Sequence, residues 1–333
     1  MFNCKLGNIA IIKNGKCNRQ DAVLNGKYPL FDRSQVTKAS NEYLFDCSAI
    51  IVPGEGKEFI PRFYQGKFNL HQRCYCIQSK NNDQVSIKYL YYNILFNQDY
   101  FARVAVGSTV PSLRLGSFEN MELKIHTPTE QRHIVDTIGS VDDLIENYEV
   151  RISFLQKISS YLYLQLIEHS RETSYLGNFI KIETGSMNLD ENDPNGRYPF
   201  YTRNIGTFYS NKYTNEGKGA VVAGEGNFTP KFVNGKFGLH QRAYFIQPST
   251  TKLGSEVIYE IILSHKKYLE SVAVGSTVKS LRRFCFEQMP FFIDADYFCL
   301  NQILEILFGE IENLKKRKSI LLNQKSILLD KYF

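Results

Sequence analysis

Short apolar runs that end near glycine or proline recur along most of the chain. Runs of this length bounded by turn residues are typical of buried β-strands. They lie at 9–12, 49–52, 74–78, 179–182, 220–223 and 243–247. The pattern therefore predicts a sheet in each half of the sequence.

In each half, one segment after these strands has apolar residues at the spacing of a helix. The pattern predicts one helix over 87–104 and one over 253–272. A hairpin is predicted within 59–68, with its turn at Gln65-Gly66, and Asn234-Gly235 is the matching turn in the second half. A module that combines these strands with one helix is of the α+β class.

Two long segments have apolar residues spaced by three and four instead. The first follows Pro128, with Thr129 as the expected cap and Ser159 as one weak position, and the second fills the C-terminus, where Lys318 and Lys325 interrupt it. The apolar positions are 138, 141, 145, 148, 152, 155, 162 and 166, then 304, 307, 311, 314, 321 and 328. Each helix would have about 35–40 residues and a length of roughly 50–60 Å. Two such amphipathic helices in one chain are expected to pair as an antiparallel coiled coil.

Five landmarks of the first half return in the same order in the second half. They are LGN at 6–8 and 176–178, GKYP and GRYP at 26–29 and 196–199, GEG at 54–56 and 224–226, LHQR at 70–73 and 239–242, and VAVGSTV at 104–110 and 272–278. The offset drifts only from 177 − 7 = 170 to 272 − 104 = 168. A period this long indicates a duplicated domain rather than a solenoid repeat.

The repeat and the helices together predict four parts. Residues 1–127 and 171–295 are the two similar modules, 128–170 is the central helix, and 296–333 is the C-terminal helix. Two similar domains in one chain favour a pseudo-twofold arrangement, which suits a DNA target with two half-sites. The paired helices would then act as a rigid spacer, and the alternative is that they only stabilise the fold.

Composition narrows the class of protein. Hydrophobic residues make up 43% and charged residues 22%, as in a folded globular chain, and the net charge of +6 permits nucleic-acid binding without proving it. The sequence lacks a membrane-length apolar run and an N-terminal signal pattern, so we expect a cytoplasmic protein. The seven cysteines fit a reducing compartment, and Cys74 and Cys76 are a weak metal candidate because Ala243 and Phe245 replace them in the second module.

These motifs resemble those of a known family, the specificity subunits of Type I restriction–modification systems. KLGNI at 5–9 resembles the start of their target recognition domains, and GSTVPSLR at 107–114 resembles the closing motif. The PTEQRHI stretch at 128–134 resembles the entry into the family's central helix. The second module repeats the first two signatures at 176–179 and 275–282, but MPFF at 289–292 lacks the Glu-Gln pair of the third.

The resemblance implies a non-catalytic subunit without a cofactor. In that family each recognition domain reads one half of a bipartite double-stranded DNA site. The long helices set the distance between the halves and dock two methyltransferase subunits, which modify adenine. A separate restriction subunit cleaves the DNA with ATP.

The residues alone leave two other functions open. Glu55, His71 and Arg73 recur as a set in the second module, and such a set can form a hydrolytic site of a nuclease or transferase. It can equally form a hydrogen-bonded cluster that repeats because the fold repeats. A scaffold that binds only proteins is the second alternative. The sequence lacks the loop of an adenine methyltransferase and a Walker A motif.

The candidate DNA contacts fall into two classes. Base-reading residues should differ between the modules, which directs attention to the loops at 32–35 and 202–205. Residues that repeat should serve the fold or contact phosphates. The predicted set is Arg33, Gln35, Arg73, Ser108 and Arg114 in the first module, and Arg203, Asn204, Arg242, Ser276, Lys279, Arg282 and Arg283 in the second.

Overall fold

A computed structural model describes residues 1–204, 206 and 208–333. The chain divides into two compact units. The first contains Met1–Asn147 and Lys318–Phe333, and the second contains Tyr148–Arg317.

The first unit is built on a six-stranded sheet. Its elements are β1 (Phe2–Lys5), α1 (Leu6–Ile9), β2 (Ala10–Asn14), β3 (Tyr28–Phe31), β4 (Lys38–Ser40), β5 (Phe45–Pro53), β6 (Arg62–Leu70), β7 (Cys74–Ser79), α2 (Ile87–Phe96), α3 (Asp99–Val104), α4 (Leu115–Glu119), β8 (Glu122–Ile125) and the first part of α5 (Pro128–Ile167). The strand order is β2-β7-β5-β6-β3-β4, and only β3 and β6 pair in parallel. A separate pair joins β1 to β8.

The second unit repeats this design. Its elements are the rest of α5, β9 (Thr173–Tyr175), β10 (Ile180–Thr184), β11 (Tyr198–Tyr201), β12 (Phe208–Ser210), β13 (Asn215–Ala223), β14 (Lys231–Leu239), β15 (Ala243–Pro248), α6 (Ser255–Ser264), α7 (Lys266–Val272), α8 (Arg283–Glu287), β16 (Pro290–Phe292) and most of α9 (Tyr297–Tyr332). The sheet order β10-β15-β13-β14-β11-β12 matches the first sheet strand for strand. The predicted domain duplication is therefore confirmed, as is the α+β class.

Both faces of each sheet are covered, which explains the continuous apolar runs. In β5, Ile50 and Val52 pack with α2 and its neighbours in the main core, whereas Ala49 and Ile51 belong to a smaller core on the opposite face. Successive side chains of a strand alternate between faces, so burial of both faces requires apolar residues at every position.

The predicted hairpin turn at Gln65-Gly66 is wrong. The strand β6 runs straight through it, and Gly66 lies opposite Cys47 of β5 with a φ of +121°. Gly235 of the Asn234-Gly235 pair likewise lies inside β14 with a φ of +106°. Glycine accepts these angles within a paired strand, and the long pairing with β5 and β13 overrides the local turn signal.

The single helix predicted in each module is also wrong. In the first module the helix stops at Phe96 and a new one starts at Asp99, while the amide of Asn97 donates to the carbonyl oxygen of Asn93 at 2.9 Å. In the second module the break falls at His265. Side chains that bond to nearby backbone groups compete with helix continuation, which accounts for the break at Asn97.

The central helix begins two residues earlier than a cap at Thr129 predicts. It starts at Pro128, and Thr127 rather than Thr129 precedes it: the Glu130 N–H donates to Thr127 Oγ1 at 3.4 Å, and the Thr127 N–H donates to Glu130 Oε2 at 2.9 Å. This reciprocal pair is a capping box. Proline suits the first helical position because that position needs no N–H donor.

In each unit α5 and α9 run antiparallel, as predicted. In the first unit Asp142 pairs with Lys325 at 2.7 Å and His133 lies 3.2 Å from the hydroxyl of Tyr332. In the second unit Arg151 pairs with Glu310 at 3.0 Å, and the half-buried Leu162 packs against the core that contains Leu300. All the predicted apolar positions of the two helices are buried or half-buried, and Ile138, Leu304, Ile311 and Leu314 are among the buried ones.

Two negative observations apply to the described part of the chain. None of its helices is both long enough and apolar enough to cross a bilayer. Within 1–204, 206 and 208–333, no group of three or more metal-ligating side chains comes together. Cys74 and Cys76 are buried, and burial raises the pKa of the Cys74 thiol to about 12.

Candidate nucleic-acid interface

Three of the repeated motifs meet at one place in the first unit. The N–H of Gly54, in the GEG turn after β5, donates to the carbonyl oxygen of Arg73 at 2.8 Å. The N–H of Leu113, in the closing motif, donates to the carbonyl oxygen of Gly54 at 2.8 Å, and Gly56 donates to Pro111 at 3.0 Å. Residues far apart in sequence therefore share one backbone-bonded cluster.

The second unit repeats these bonds. Gly224 donates to the carbonyl oxygen of Arg242 at 2.7 Å, and Leu281 donates to that of Gly224 at 2.8 Å. The motifs recur in the sequence because each makes the same backbone contacts in both units.

Glu55 is the centre of this cluster in the first unit. Its Oε2 accepts a hydrogen bond from Nη1 of Arg33 at 2.9 Å, and its Oε1 accepts one from Nη1 of Arg73. The Glu55 side chain is 13% exposed, whereas the side chains of Arg33 and Arg73 are 47% and 57% exposed. One covered carboxylate thus holds two arginines that face solvent.

Glu225 has the same role in the second unit. Nη1 of Arg242 lies 2.9 Å from both carboxylate oxygens, and Nη1 of Arg203 lies 3.5 Å from Oε2. The hydrogen bond from Arg242 is the main cause that lowers the pKa of the Glu225 carboxyl. Glu225 therefore stays ionised at neutral pH.

The two repeated histidines support the same turn. Nδ1 of His71 accepts a hydrogen bond from the backbone N–H of Arg73 at 3.1 Å, and Nδ1 of His240 accepts one from Arg242 at 3.0 Å. Burial lowers the pKa of both imidazoles, and the nearby guanidinium of Arg33 or Arg203 lowers it further. Both rings are therefore neutral acceptors at pH 7. With the histidines bonded to backbone and the glutamates to arginines, the cluster is arranged to present cations rather than a general base.

The loop at 32–35 carries Arg33 and Gln35 at the surface. Asp32 Oδ1 accepts hydrogen bonds from the N–H and hydroxyl of Ser34, at 2.8 and 2.6 Å. Arg62 donates to the carbonyl oxygens of Asp32 and Ser34, at 2.8 and 3.0 Å. These bonds fix the loop backbone and leave both candidate base-reading side chains exposed.

The matching loop of the second unit carries Arg203 and Asn204, both exposed. Thr202 Oγ1 accepts the Asn204 N–H at 3.1 Å, and Lys231 Nζ donates to the carbonyl oxygen of Asn204 at 3.1 Å. Ile205, the last residue of the predicted loop, lies outside the described residues.

The closing motifs form short exposed turns. A backbone bridge joins Val106 to Ser112, and the predicted contact Ser108 lies exposed between them. In the second unit the same bridge joins Val274 to Ser280, with Ser276 exposed. Gly275, with a φ of +118°, has no room for a side chain, because a Cβ would lie 2.3 Å from the carbonyl oxygen of Val278.

Arg114 is the last residue of the closing motif and lines a cleft of about 350 Å³ together with Glu55 and Arg73. Arg282 is exposed at the matching position of the second unit. Lys279 and Arg283 are also exposed but are partly occupied, since Lys279 Nζ donates to the carbonyl oxygen of Glu270 at 2.8 Å and Arg283 pairs with Glu287 at 2.7 Å.

The structure thus brings together some of the predicted residues. Arg33 meets Arg73 through Glu55, and Arg203 meets Arg242 through Glu225. Gln35, Ser108 and Ser276 lie on exposed loops, and no hydrogen bond between described residues ties their side chains to either cluster. The sequence did not single out Asn18 and Asn188, whose Oδ1 atoms accept hydrogen bonds from Gln72 at 2.6 Å and Gln241 at 2.7 Å. An Asn 54 or 53 residues before the Gln of each LHQR motif is the available signal.

Both halves of the chain are similar to known proteins. A family model described as the Type I restriction modification DNA specificity domain matches residues 3–156 and 169–293. The Type I restriction enzyme EcoDI specificity subunit of Escherichia coli is 27% identical over 154 residues, which are 46% of this chain and 34% of that relative. The MjaIX specificity subunit of Methanocaldococcus jannaschii is 29% identical over 129 residues, which are 31% of this chain and 29% of that relative. The matches span about a third of the length of these curated relatives.

A solved structure shares the fold over almost the full length. The S subunit of a Type I restriction–modification system from M. genitalium superposes with a TM-score of 0.63 at 16% identity, and covers 100% of this chain and 96% of that one. Since the two segments that match the family model make up most of the sequence, the chain belongs to the family of Type I restriction modification DNA specificity domains.

Proposed function

We propose that the chain is a non-catalytic subunit that recognises a bipartite sequence in double-stranded DNA for a Type I restriction–modification complex. Family membership supports this role, and the two curated relatives are both specificity subunits. The proposal needs no cofactor in this chain, because sequence reading uses side-chain contacts to bases and phosphates.

The four predicted parts have separate tasks in this proposal. Residues 1–127 and 171–295 are the two target recognition domains, and each reads one half of the site. Residues 128–170 and 296–333 supply the long helices to which two methyltransferase subunits dock. Exposed apolar side chains on these helices, such as Phe154 at 63% and Ile306 at 73% exposure, support a docking role.

The observation that carries the proposal is the repeated arginine cluster. Each unit presents two half-exposed arginines around one covered carboxylate, at the same place in the same fold. Guanidinium groups bind phosphates and the guanine edge in forked geometry. The proposed contacts are Arg33, Gln35, Arg203 and Asn204 to bases, and Arg73, Ser108, Arg114, Arg242, Ser276, Lys279, Arg282 and Arg283 to the backbone.

The complex would also include restriction subunits, which cleave DNA, and would act in the cytoplasm, where the DNA is. In this arrangement the methyltransferase subunits perform the chemistry on adenine. The specificity subunit decides where that chemistry occurs.

The test is co-expression of the full chain with the methyltransferase subunit of the same system, followed by mapping of methylated adenines in the host DNA. We expect a two-part motif with a constant gap between its halves. Methyltransferase expressed without this chain is the control and should leave no such motif. A continuous motif, or none at all in the presence of both proteins, would contradict the proposal.

A scaffold that binds only proteins predicts a different result in a binding experiment. Phosphate contacts release counterions, so the affinity for duplex DNA should fall steeply as salt is added. The absence of salt-dependent DNA binding by the assembled complex would favour the scaffold.

A further inference from the structure

In each unit a single carboxylate joins two arginines that come from different kinds of segment. Arg73 and Arg242 belong to the LHQR motif, which is identical in both modules. Arg33 and Arg203 belong to loops that otherwise differ, DRSQ at 32–35 and TRN at 202–204. Arg33 and Arg203 occupy matched positions, so the glutamate connects the shared LHQR motif to an arginine whose neighbours in the loop differ between the modules.

The exposure of the three side chains shows how the contact is arranged. Glu55 is 13% exposed while Arg33 is 47% exposed, and in the second unit Glu225 is 19% and Arg203 46% exposed. A guanidinium group has five N–H donors in a rigid fork, and the carboxylate uses only one or two of them. The remaining donors of Arg33 and Arg203 are free to face a ligand in solution.

The loop backbones have their own support, but the arginine side chains depend on the carboxylate. Arg62 fixes the carbonyl oxygens of residues 32 and 34, and Lys231 fixes that of residue 204. These bonds do not restrain the long side chain of the adjacent arginine, which loses rotamer entropy when it is ordered. Among the described residues, the side chain of Arg33 pairs with Glu55 and that of Arg203 pairs with Glu225.

We propose that Glu55 and Glu225 are positioning residues that determine sequence specificity, because each holds the loop arginine of its module, Arg33 or Arg203, in the orientation that reads a base. The inference rests on the proposed function, and it adds residues that affect specificity without contacting DNA. Neither glutamate touches DNA in this role. Each acts through the arginine beside it.

The charges of the cluster predict that loss of the glutamate affects non-specific DNA affinity and base discrimination differently. Two arginines and one glutamate give a net charge of +1, so loss of the carboxylate raises the local positive charge. Non-specific attraction to phosphate should then stay the same or increase, since it depends on charge. Discrimination between bases should fall, since it depends on a fixed geometry. Damage to the fold would lower both together.

The experiment uses the full chain in complex with its methyltransferase subunit and a duplex that carries the mapped two-part motif. Affinity is compared with duplexes in which only the first or only the second half is altered. We expect Glu55→Gln to reduce discrimination at one half of the site by about 5- to 100-fold, the range of one bidentate arginine contact. Glu225→Gln should do the same at the other half only. Glu58→Gln, which removes an exposed carboxylate three residues away, is the matched control and should leave discrimination intact.

A double-mutant cycle shows whether the glutamate acts through the arginine. Arg33→Ala should reduce discrimination by itself, and Glu55→Gln should add nothing in that background. The inference is overturned if Glu55→Gln leaves both half-sites discriminated as before, if it affects both halves equally, or if its effect persists in Arg33→Ala. Should Glu55→Gln fail to fold, as judged by thermal unfolding, the Glu225→Gln and Arg203→Ala pair provides the same cycle in the second unit.

Failure of the proposed function gives a different pattern. In that case the wild-type complex itself shows no two-part motif and no half-site discrimination. Suppose instead that the wild-type complex discriminates between matched and altered half-sites, and that Glu55→Gln and Glu225→Gln discriminate equally well. That result would overturn the inference and leave the proposed function in place.

Discussion

The Nζ of Lys325 lies 2.7 Å from Oδ1 of Asp142, and this ion pair joins α9 to α5 within the first unit. The other oxygen of Asp142 accepts a hydrogen bond from the hydroxyl of Tyr92 in α2 at 2.9 Å. The side chains of Lys325 and Asp142 are only 16% and 21% exposed. One aspartate therefore connects three helices at a largely covered site.

Substitution of Asp142→Ala should lower the free energy of unfolding by about 2–3 kcal/mol, because it leaves a mostly covered lysine and a buried tyrosine hydroxyl without their acceptor. Urea denaturation at neutral pH measures the change. Arg151→Ala, which breaks the half-exposed pair with Glu310 in the second unit, is the control and should change the free energy by less than about 0.5 kcal/mol. Equal effects of the two variants would contradict this ranking.

Gly15 is a second position at which a small substitution, the addition of one Cβ atom, should change the stability of the protein. A Cβ at this position would lie 2.1 Å from the carbonyl oxygen of Leu70, which is part of the sheet backbone and has no room to move. We expect Gly15→Ala to destabilise the protein by about 3 kcal/mol or more. Gly309→Ala, on an exposed helix position with no atom within 4 Å, should instead stabilise it by about 0.5–1 kcal/mol. Thermal unfolding of both variants tests the opposite signs.

The sequence predicted the elements whose signal is local or repeated. The duplicated module, the strands around 49–52 and 220–223, and the antiparallel helices all follow from periodicity and from the offset of the landmarks. The strand through Gly66 was missed because its pairing with β5 depends on residues about 20 positions away. The apparent defects of the helix pattern, Ser159 and Lys325, have polar partners on other helices: Ser159 donates to Glu260 Oε1 at 2.5 Å, and Lys325 pairs with Asp142.

In the candidate site, too, repetition revealed some residues, while contacts between distant residues could not be predicted. Repetition singled out Arg73, Arg242 and the glutamates, but it left open whether Glu55 served catalysis or the fold. The answer depends on which side chains surround the carboxylate, and Arg33 is 22 residues away in the sequence. No local pattern specifies that contact.

The buried histidines predict how stability depends on pH. Burial lowers the pKa of His71 and His240 below the ordinary value of 6.5, so at pH values just below 6.5 the unfolded chain binds more protons than the folded one. The free energy of unfolding should therefore be highest above pH 6.5 and fall as the pH drops from 6.5 towards the lowered values. Urea denaturation between pH 7.5 and 5.5 measures this, and a double His71→Asn, His240→Asn variant should show a shallower fall. An unchanged slope in the variant would contradict the assignment.

Glu260 predicts the opposite dependence. Burial raises its pKa above 4.5, so the stability it supports decreases as the pH rises from 4.5 through the raised value. The hydroxyls of Ser159 and Ser160 donate to its two oxygens at 2.5 and 2.8 Å. Glu260→Gln keeps an acceptor without the buried charge, and we expect it to raise the free energy of unfolding at pH 7.5. Glu260→Leu should lower it by about 1–3 kcal/mol, since both hydroxyls then lose their acceptor. If the two variants change stability in the same direction, the buried charge is not the deciding factor.

Arg114 and Arg282 provide the last prediction, on the difference between holding DNA and reading it. Both are exposed at the end of closing motifs that differ only at Pro111 and Lys279. The feature they meet should therefore be common to both half-sites, and the phosphate backbone is that feature. Arg114→Ala in the complex should weaken binding to matched and altered duplexes by the same factor and reduce the slope of log affinity against log salt by about 1. Arg33→Ala should lower discrimination at one half-site instead, because its loop differs between the modules. Titration of both variants over a range of salt concentrations separates the two roles. A change of sequence preference in Arg114→Ala would transfer this arginine from the backbone-contacting class to the base-reading class.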